Sequence, residues 1–134
     1  MAALDYAMLA EYARIDAAGL VTVVGGSFDR VQVIGDSGVQ QVFVALRVLT
    51  AEEEDRVPFE VKVRAPEQQY EIRVAGATQR APDASPVGGF YSFTAALGVA
   101  APLPVAGEYV VEVSLAGDIV RRLPFVVTMS AEVS

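Results

Sequence analysis

The sequence predicts an all-β sandwich of about eight to nine mostly antiparallel strands. Three observations predict it. Short runs alternate apolar and polar residues, as in Phe59-Glu60-Val61-Lys62-Val63-Arg64, the period of a strand with one buried face. Gly- and Pro-containing turns divide these runs at a spacing of roughly ten residues. The inward rows are Val, Ala and Leu, whereas a barrel around a ligand cavity would offer a more polar or aromatic interior. At 134 residues the chain reads as one domain, assigned to 1–129, with 130–134 as a frayed tail.

Residues 4–14 support two readings. As a strand, Leu4, Tyr6, Met8, Ala10 and Tyr12 share a face. As a helix, Leu4, Met8, Tyr12 and Ile15 form a stripe, and the alanines favour it. The strand is taken because everything downstream is β. Asp16-Ala17-Ala18-Gly19 is a turn. Residues 20–34, LVTVVGGSFDRVQVI, then dominate the chain. They begin as an apolar strand, break at Gly25-Gly26 and resume at Phe28. Two adjacent glycines mark a bulge, bend or turn. The segment is expected to enter the core and change direction there.

Gly35-Asp36-Ser37-Gly38 is a loop. Residues 41–50 are apolar on both faces, which predicts a central or interface strand. Glu52-Glu53-Glu54-Asp55 is a solvated connection. Residues 58–65 follow, with Phe59, Val61 and Val63 inward; their burial is worth roughly 5–8 kcal/mol before chain entropy. Tyr70, Ile72 and Val74 define a sixth strand. Residues 76–88, with Pro82 and Pro86, form the longest irregular stretch. A seventh strand spans 90–97, with Tyr91, Phe93, Ala95 and Leu97 inward, and 98–107 is a loop containing Pro102 and Pro104. Tyr109, Val111, Val113 and Leu115 point inward from an eighth strand. Ala116-Gly117-Asp118 makes a hairpin into a ninth.

Composition excludes several chemistries. The chain has no His, Cys, Trp or Asn. Ser-His-Asp and Cys-His nucleophile systems are therefore impossible, as are disulfides and Cys-based zinc sites. No G-x-x-x-x-G-K-[ST] or H-E-x-x-H motif occurs, and no spacing singles out a carboxylate pair. The net charge of −7 repels phosphate, and only Arg121-Arg122 are adjacent cations, so nucleic acid is not an expected partner. Asp5, Glu11, Arg14 and Asp16 interrupt any signal-peptide core. No stretch approaches the ~18 apolar residues of a membrane span without proline. Nine of the ten basic residues are Arg, a skew that fits a GC-rich bacterial genome.

The residues Asp5-Tyr6-Ala7, Glu11-Tyr12-Ala13-Arg14-Ile15-Asp16, Gly19-Leu20, Val24-Gly25-Gly26 and Phe28-Asp29-Arg30-Val31 resemble a widespread family of small uncharacterised bacterial proteins. Members carry a strand, a D-x-x-G turn, a second strand, then G-x-F-D-R-[IV]. The resemblance implies a standalone cytoplasmic bacterial β-sandwich and carries no function. The C-terminal Gly107-Glu108-Tyr109, Leu115-Ala116-Gly117-Asp118 and Leu123-Pro124-Phe125-Val126-Val127 are similar to the last hairpin of Ig-like sandwiches. The expected arrangement is Ig-like or jelly-roll-like.

The function expected is a non-enzymatic protein–protein interaction or structural module, self-associating or with a protein partner, without cofactor. Its interface candidates are Phe28, Asp29, Arg30, Val110, Val120 and Val126. The alternative is a small-ligand or divalent-cation site. A cleft under residues 76–88 lined by Tyr and Arg would favour the ligand. If strands simply alternate direction, Asp29, Glu52, Glu53, Glu54, Asp55, Asp83 and Asp118 share one end of the sandwich, where clustered carboxylates suit calcium.

Overall fold

The computed structural model describes residues 2–35 and 38–130. Nine strands appear in the order β1 Ala3–Ile15, β2 Val21–Gly26, β3 Arg30–Ile34, β4 Gly38–Thr50, β5 Pro58–Arg64, β6 Glu71–Ala77, β7 Tyr91–Leu103, β8 Gly107–Leu115 and β9 Asp118–Ser130. They form two packed sheets, β2-β1-β4-β7 and β3-β9-β8-β5-β6. All pairings are antiparallel except β3 with β9. The fold is an all-β sandwich. The one helical turn among the described residues is a 3-10 segment, Pro66–Gln68.

The core lies between the sheets. Val42, Val44, Leu46 and Val48 of β4 face Val61 and Val63 of β5, Val111 and Val113 of β8, and Phe125 and Val127 of β9. Their alternation along each strand puts every second side chain inward. Tyr109 is fully buried and stacks on Phe125 at a centroid distance of 5.4 Å. Its hydroxyl donates to the Val105 carbonyl at 2.8 Å. This is the tyrosine-corner arrangement, in which a buried Tyr near the start of a strand ties down the backbone just upstream.

Residues 4–14 are strand, and β4 is central, as its two apolar faces predict. Residues 20–34 behave differently from expectation. They cross from one sheet to the other, but β2 and β3 are both edge strands, and Leu20 and Val24 are exposed. Gly25 has φ +61, and a Cβ there would run into the Glu11 carboxylate. The double glycine thus serves a close approach to β1. The second face of β4 is covered by the chain itself. Ala13 of β1 with Val21 and Val23 of β2 joins Phe43, Ala45 and Ala96 in a second apolar cluster, and Tyr12 meets Phe43 edge to face at 5.3 Å. The β1–β2 hairpin therefore folds back over the outer face of its own sheet.

Several boundaries differ from the sequence expectation: β4 starts at Gly38, inside the expected loop, and β6 runs through Ala77, inside the expected irregular stretch. Strand β7 continues through 98–103, which reads as loop. Strand β9 continues through Ser130, which reads as tail, because β3 pairs alongside it (Ile34 with Ser130). Asp36 and Ser37 of the expected loop, and 131–134 of the expected tail, lie outside the described residues.

Candidate functional site

Strand β7 reads as broken because it contains Gly98 and Pro102, both breakers of central strands. Each has a local cause here. A Cβ at Gly98 would come within 2.7 Å of Gln41 Nε2 and 3.0 Å of Phe43, so glycine admits those side chains. Pro102 lies on an edge strand, where a missing N–H breaks no ladder bond. Val99, Ala101 and Leu103 continue the inward alternation and are buried. The strand pairs with β4 without a register shift from Gly38–Leu103 to Thr50–Tyr91.

Among the described residues, no strand pairs with the other edge of β7. Its only hydrogen bond among the described residues comes from the Tyr70 hydroxyl, which donates to the Pro102 carbonyl. Burial, and secondarily Tyr109, pushes the Tyr70 hydroxyl up to about 12, so it stays a protonated donor at neutral pH. That contact shows which way the backbone alternates. Pro102 points away from β4, so Ser92, Thr94, Ala96, Gly98 and Ala100 present their N–H and C=O groups to the same free edge.

Natural sheets blunt such edges with charge, proline, bulges or shortness. The other three edges comply, and on β7 Pro102 blunts only the C-terminal end. Strand β2 has six residues and ends in Gly25-Gly26, and β3 has five. Strand β6 carries Glu71 and Arg73, hydrogen-bonded to each other at 2.8 Å, a bond that holds the Glu71 carboxyl below its ordinary range. Strand β7 has thirteen residues, and residues 84–107 contain no charge at all.

Exposed apolar residues stand at both ends of this edge. Before β7, Gly88 and Gly89 have φ +61 and +84 and close a two-residue turn in which Val87 and Phe90 exchange backbone hydrogen bonds at 2.8 and 3.1 Å. Val87 is 83% exposed and Phe90 44%. At the far end Val39, opposite Pro102 on β4, is 67% exposed.

A model of a family of unknown function, DUF6941, matches residues 5–128. The chain belongs to this family. No curated protein matches it. The DUF6941 match runs from β1 to β9, so both sheets and the free edge of β7 lie within the family domain.

The sequence-predicted sites are scattered over this DUF6941 fold. Phe28 packs into the core, edge to face with Phe125 at 5.9 Å. The Asp29 carbonyl accepts from Val126 N at 2.8 Å, and Arg30 opens β3 beside Val126. Val110 and Val126 are half-buried on the outer face of the five-stranded sheet, and Val120 is exposed at the bulge of β9. That face is laced with ions. Glu112, 5% exposed, sits 3.0 Å from both Arg64 Nε and Arg122 Nε.

The carboxylates do not assemble either. Asp29 bonds to Val126, eight residues along β9 from Asp118, about 26 Å at strand rise. The expected shared end fails for Asp29, because the double glycine delivers β3 part-way up the partner sheet; turn 52–55 does lead into Pro58, whose carbonyl accepts from Ala116 N beside Asp118. Glu54 accepts from Ala51 N at 2.9 Å and Ala2 N at 2.7 Å; the Ala51 amide, first among these influences, lowers its pKa. It is an internal clamp. Glu52, Glu53 and Asp55 are exposed in the same turn. Among the described residues no three acidic side chains are placed to hold a metal.

A cleft of ≈ 350 Å³ does lie beneath the 78–90 loop, lined by Arg80, Tyr91, Thr50, Thr78 and Ser92. The Arg80 guanidinium lies 3.6 Å over the Tyr91 ring. It also donates to the carbonyls of Ala51, Glu52 and Glu54 and to Thr50 Oγ1, at 3.0 to 3.3 Å. These bonds fasten the acidic turn to the sandwich. Arg80→Ala is expected to cost about 2 kcal/mol, from charged hydrogen bonds and the ring contact, and to lower the melting temperature by roughly 5–10 °C. Lysine, lacking the planar fork, should restore little. An Arg80→Ala chain melting with the wild type would remove the clamp from the account.

Proposed function

We propose that this chain is a non-enzymatic protein-interaction module of the bacterial cytoplasm and that it engages its partner through the free edge of β7. The observation that carries this reading is the combination of length, openness and lack of charge in one edge strand. An added strand supplies main-chain hydrogen bonds along its whole length, the mode known as β-augmentation. A non-enzymatic role agrees with a chain lacking His and Cys, the commonest general base and the strongest side-chain nucleophile. The cytoplasm is supported by the cysteine-free composition. No helix among the described residues is long and apolar enough to cross a membrane.

Ligand binding in the Arg80–Tyr91 cleft is the second reading, favoured by the arginine and tyrosine that line it. It ranks below the first because the guanidinium already serves four acceptors of its own chain.

The test is made in the producing host. A photo-crosslinking residue at Ala100, exposed on β7, is expected to capture a discrete protein product. Adding Ser92→Lys places a charge on the same edge and should reduce capture about tenfold, the equivalent of ~1.4 kcal/mol. Equal capture with and without the lysine would show that the edge is not the contact.

A further inference from the structure

We infer that the partner of this edge is a second copy of the chain, paired β7 to β7, antiparallel, about a two-fold axis through Ala96. The inference rests on the interaction reading above and names its partner.

The strand itself sets the register. Pro102 has no N–H to offer, so the run available for pairing is 91–101. An antiparallel copy covers all of that run only when Ala96 faces Ala96 of the second copy. Ser92 then faces Ala100 of that copy, and Thr94 faces its Gly98. All of these residues point their backbone groups at the free edge, so each facing pair closes as a hydrogen-bonded pair. No other residue is needed to complete the ladder.

The same register covers the exposed apolar ends. Phe90 of one copy comes beside Pro102 of the other, whose neighbour on β4 is Val39. Val87 and Phe90 at one end and Val39 at the other are exposed in the single chain. The two-fold brings these ends together twice, which makes the surface self-complementary.

Charge favours the same occupant. Each chain carries −7, so two copies repel over most of their surfaces. Residues 84–107 present no like charges to oppose. Pairing there joins two four-stranded sheets into one continuous sheet. It also consumes the one long uncharged edge of each copy, so assembly stops at the dimer.

The test uses the purified full chain, which has no cysteine of its own. Ser92→Cys and Ala100→Cys, both at exposed positions, are combined in one chain. Eight residues of strand separate them by about 26 Å, beyond a short bismaleimide reagent. The double variant should therefore link only between copies, giving a covalent product of twice 14.2 kDa. Each single variant should stay unlinked, because its cysteine faces a native Ser92 or Ala100. In sedimentation the wild type should be dimeric. Ser92→Lys with Ala100→Lys should dissociate it through facing like charges, and Ser92→Lys with Ala100→Glu should restore it. A monomeric wild-type chain overturns the inference and leaves the edge open to a different protein, which the in-host crosslink detects. A dimer that links equally in the single variants, or ignores the lysines, overturns it too, and removes the edge from the interaction reading.

Discussion

The Val61→Asp chain is expected to show no cooperative melting transition. Val61 is fully buried and lies mid-strand on β5, with Val113 of β8 on one side and Val74 of β6 on the other. Removing the side chain forfeits roughly 1.5–3 kcal/mol of apolar burial. The carboxylate then sits among valines with no cation in reach, since Lys62 and Arg64 point to the opposite face. An unpaired buried charge costs several kcal/mol more even after relaxation. Against a typical domain stability of about 5–15 kcal/mol, the sum is decisive. Circular dichroism during a thermal ramp checks it. A cooperative transition near that of the wild type would mean that Val61 faces solvent and that the register of β5 is displaced by one residue.

Tyr109→Ala is expected to cost about 3–5 kcal/mol, a fall of roughly 10–20 °C in melting temperature. The ring is fully buried, stacked on Phe125 and 6.4 Å from Tyr70. Its deletion leaves a large void where the ends of β6, β7 and β8 meet. The hydroxyl contributes separately, because it holds the Val105 carbonyl at the turn into β8. Burial raises its pKa, against a smaller lowering by the Val105 N–H, which donates to the hydroxyl oxygen at 3.5 Å, so it remains a donor. Tyr109→Phe keeps the stack and loses the tether, and should cost about 1 kcal/mol. Equal losses in the two variants would assign the stabilisation to the tether rather than to the packing.

Local pattern carried most of the fold. Strict alternation placed Phe59, Val61 and Val63 inward, and the doubly apolar run of β4 placed it at a sheet centre. Both follow from the two-residue period, which needs no tertiary knowledge. The misreadings arose where tertiary contacts override local chemistry. Gly98 and Pro102 signal a break unless Phe43 lies over the glycine and the proline borders open space. Residues 20–34 are strongly hydrophobic, yet Val21 and Val23 pack on the outer face of a sheet, a destination no local period reveals. Regular reversal of strands would place Asp29 at the end that holds Asp118, and the crossing at Gly25-Gly26 takes it away from there. The candidate edge left a trace in the sequence, the uncharged run 84–107. That trace alone does not define an edge, because edge position depends on sheet order, and sheet order follows from pairings far apart along the chain.

The parallel pairing of β3 with β9 sets a timetable for the nascent chain. Arg30 waits for Val126, ninety-six residues later. At about 5–20 residues per second, a ribosome needs roughly 5–20 s to make that stretch. Throughout that interval β3, with Val31 and Val33, has emerged while the strand it binds does not yet exist. Sheet β2-β1-β4-β7 is completed once Leu103 has been made, four residues before β8 begins and fifteen before β9. The newborn protein therefore holds one finished sheet over an unfinished one, and its last-made strand is the one that joins β3 to the rest.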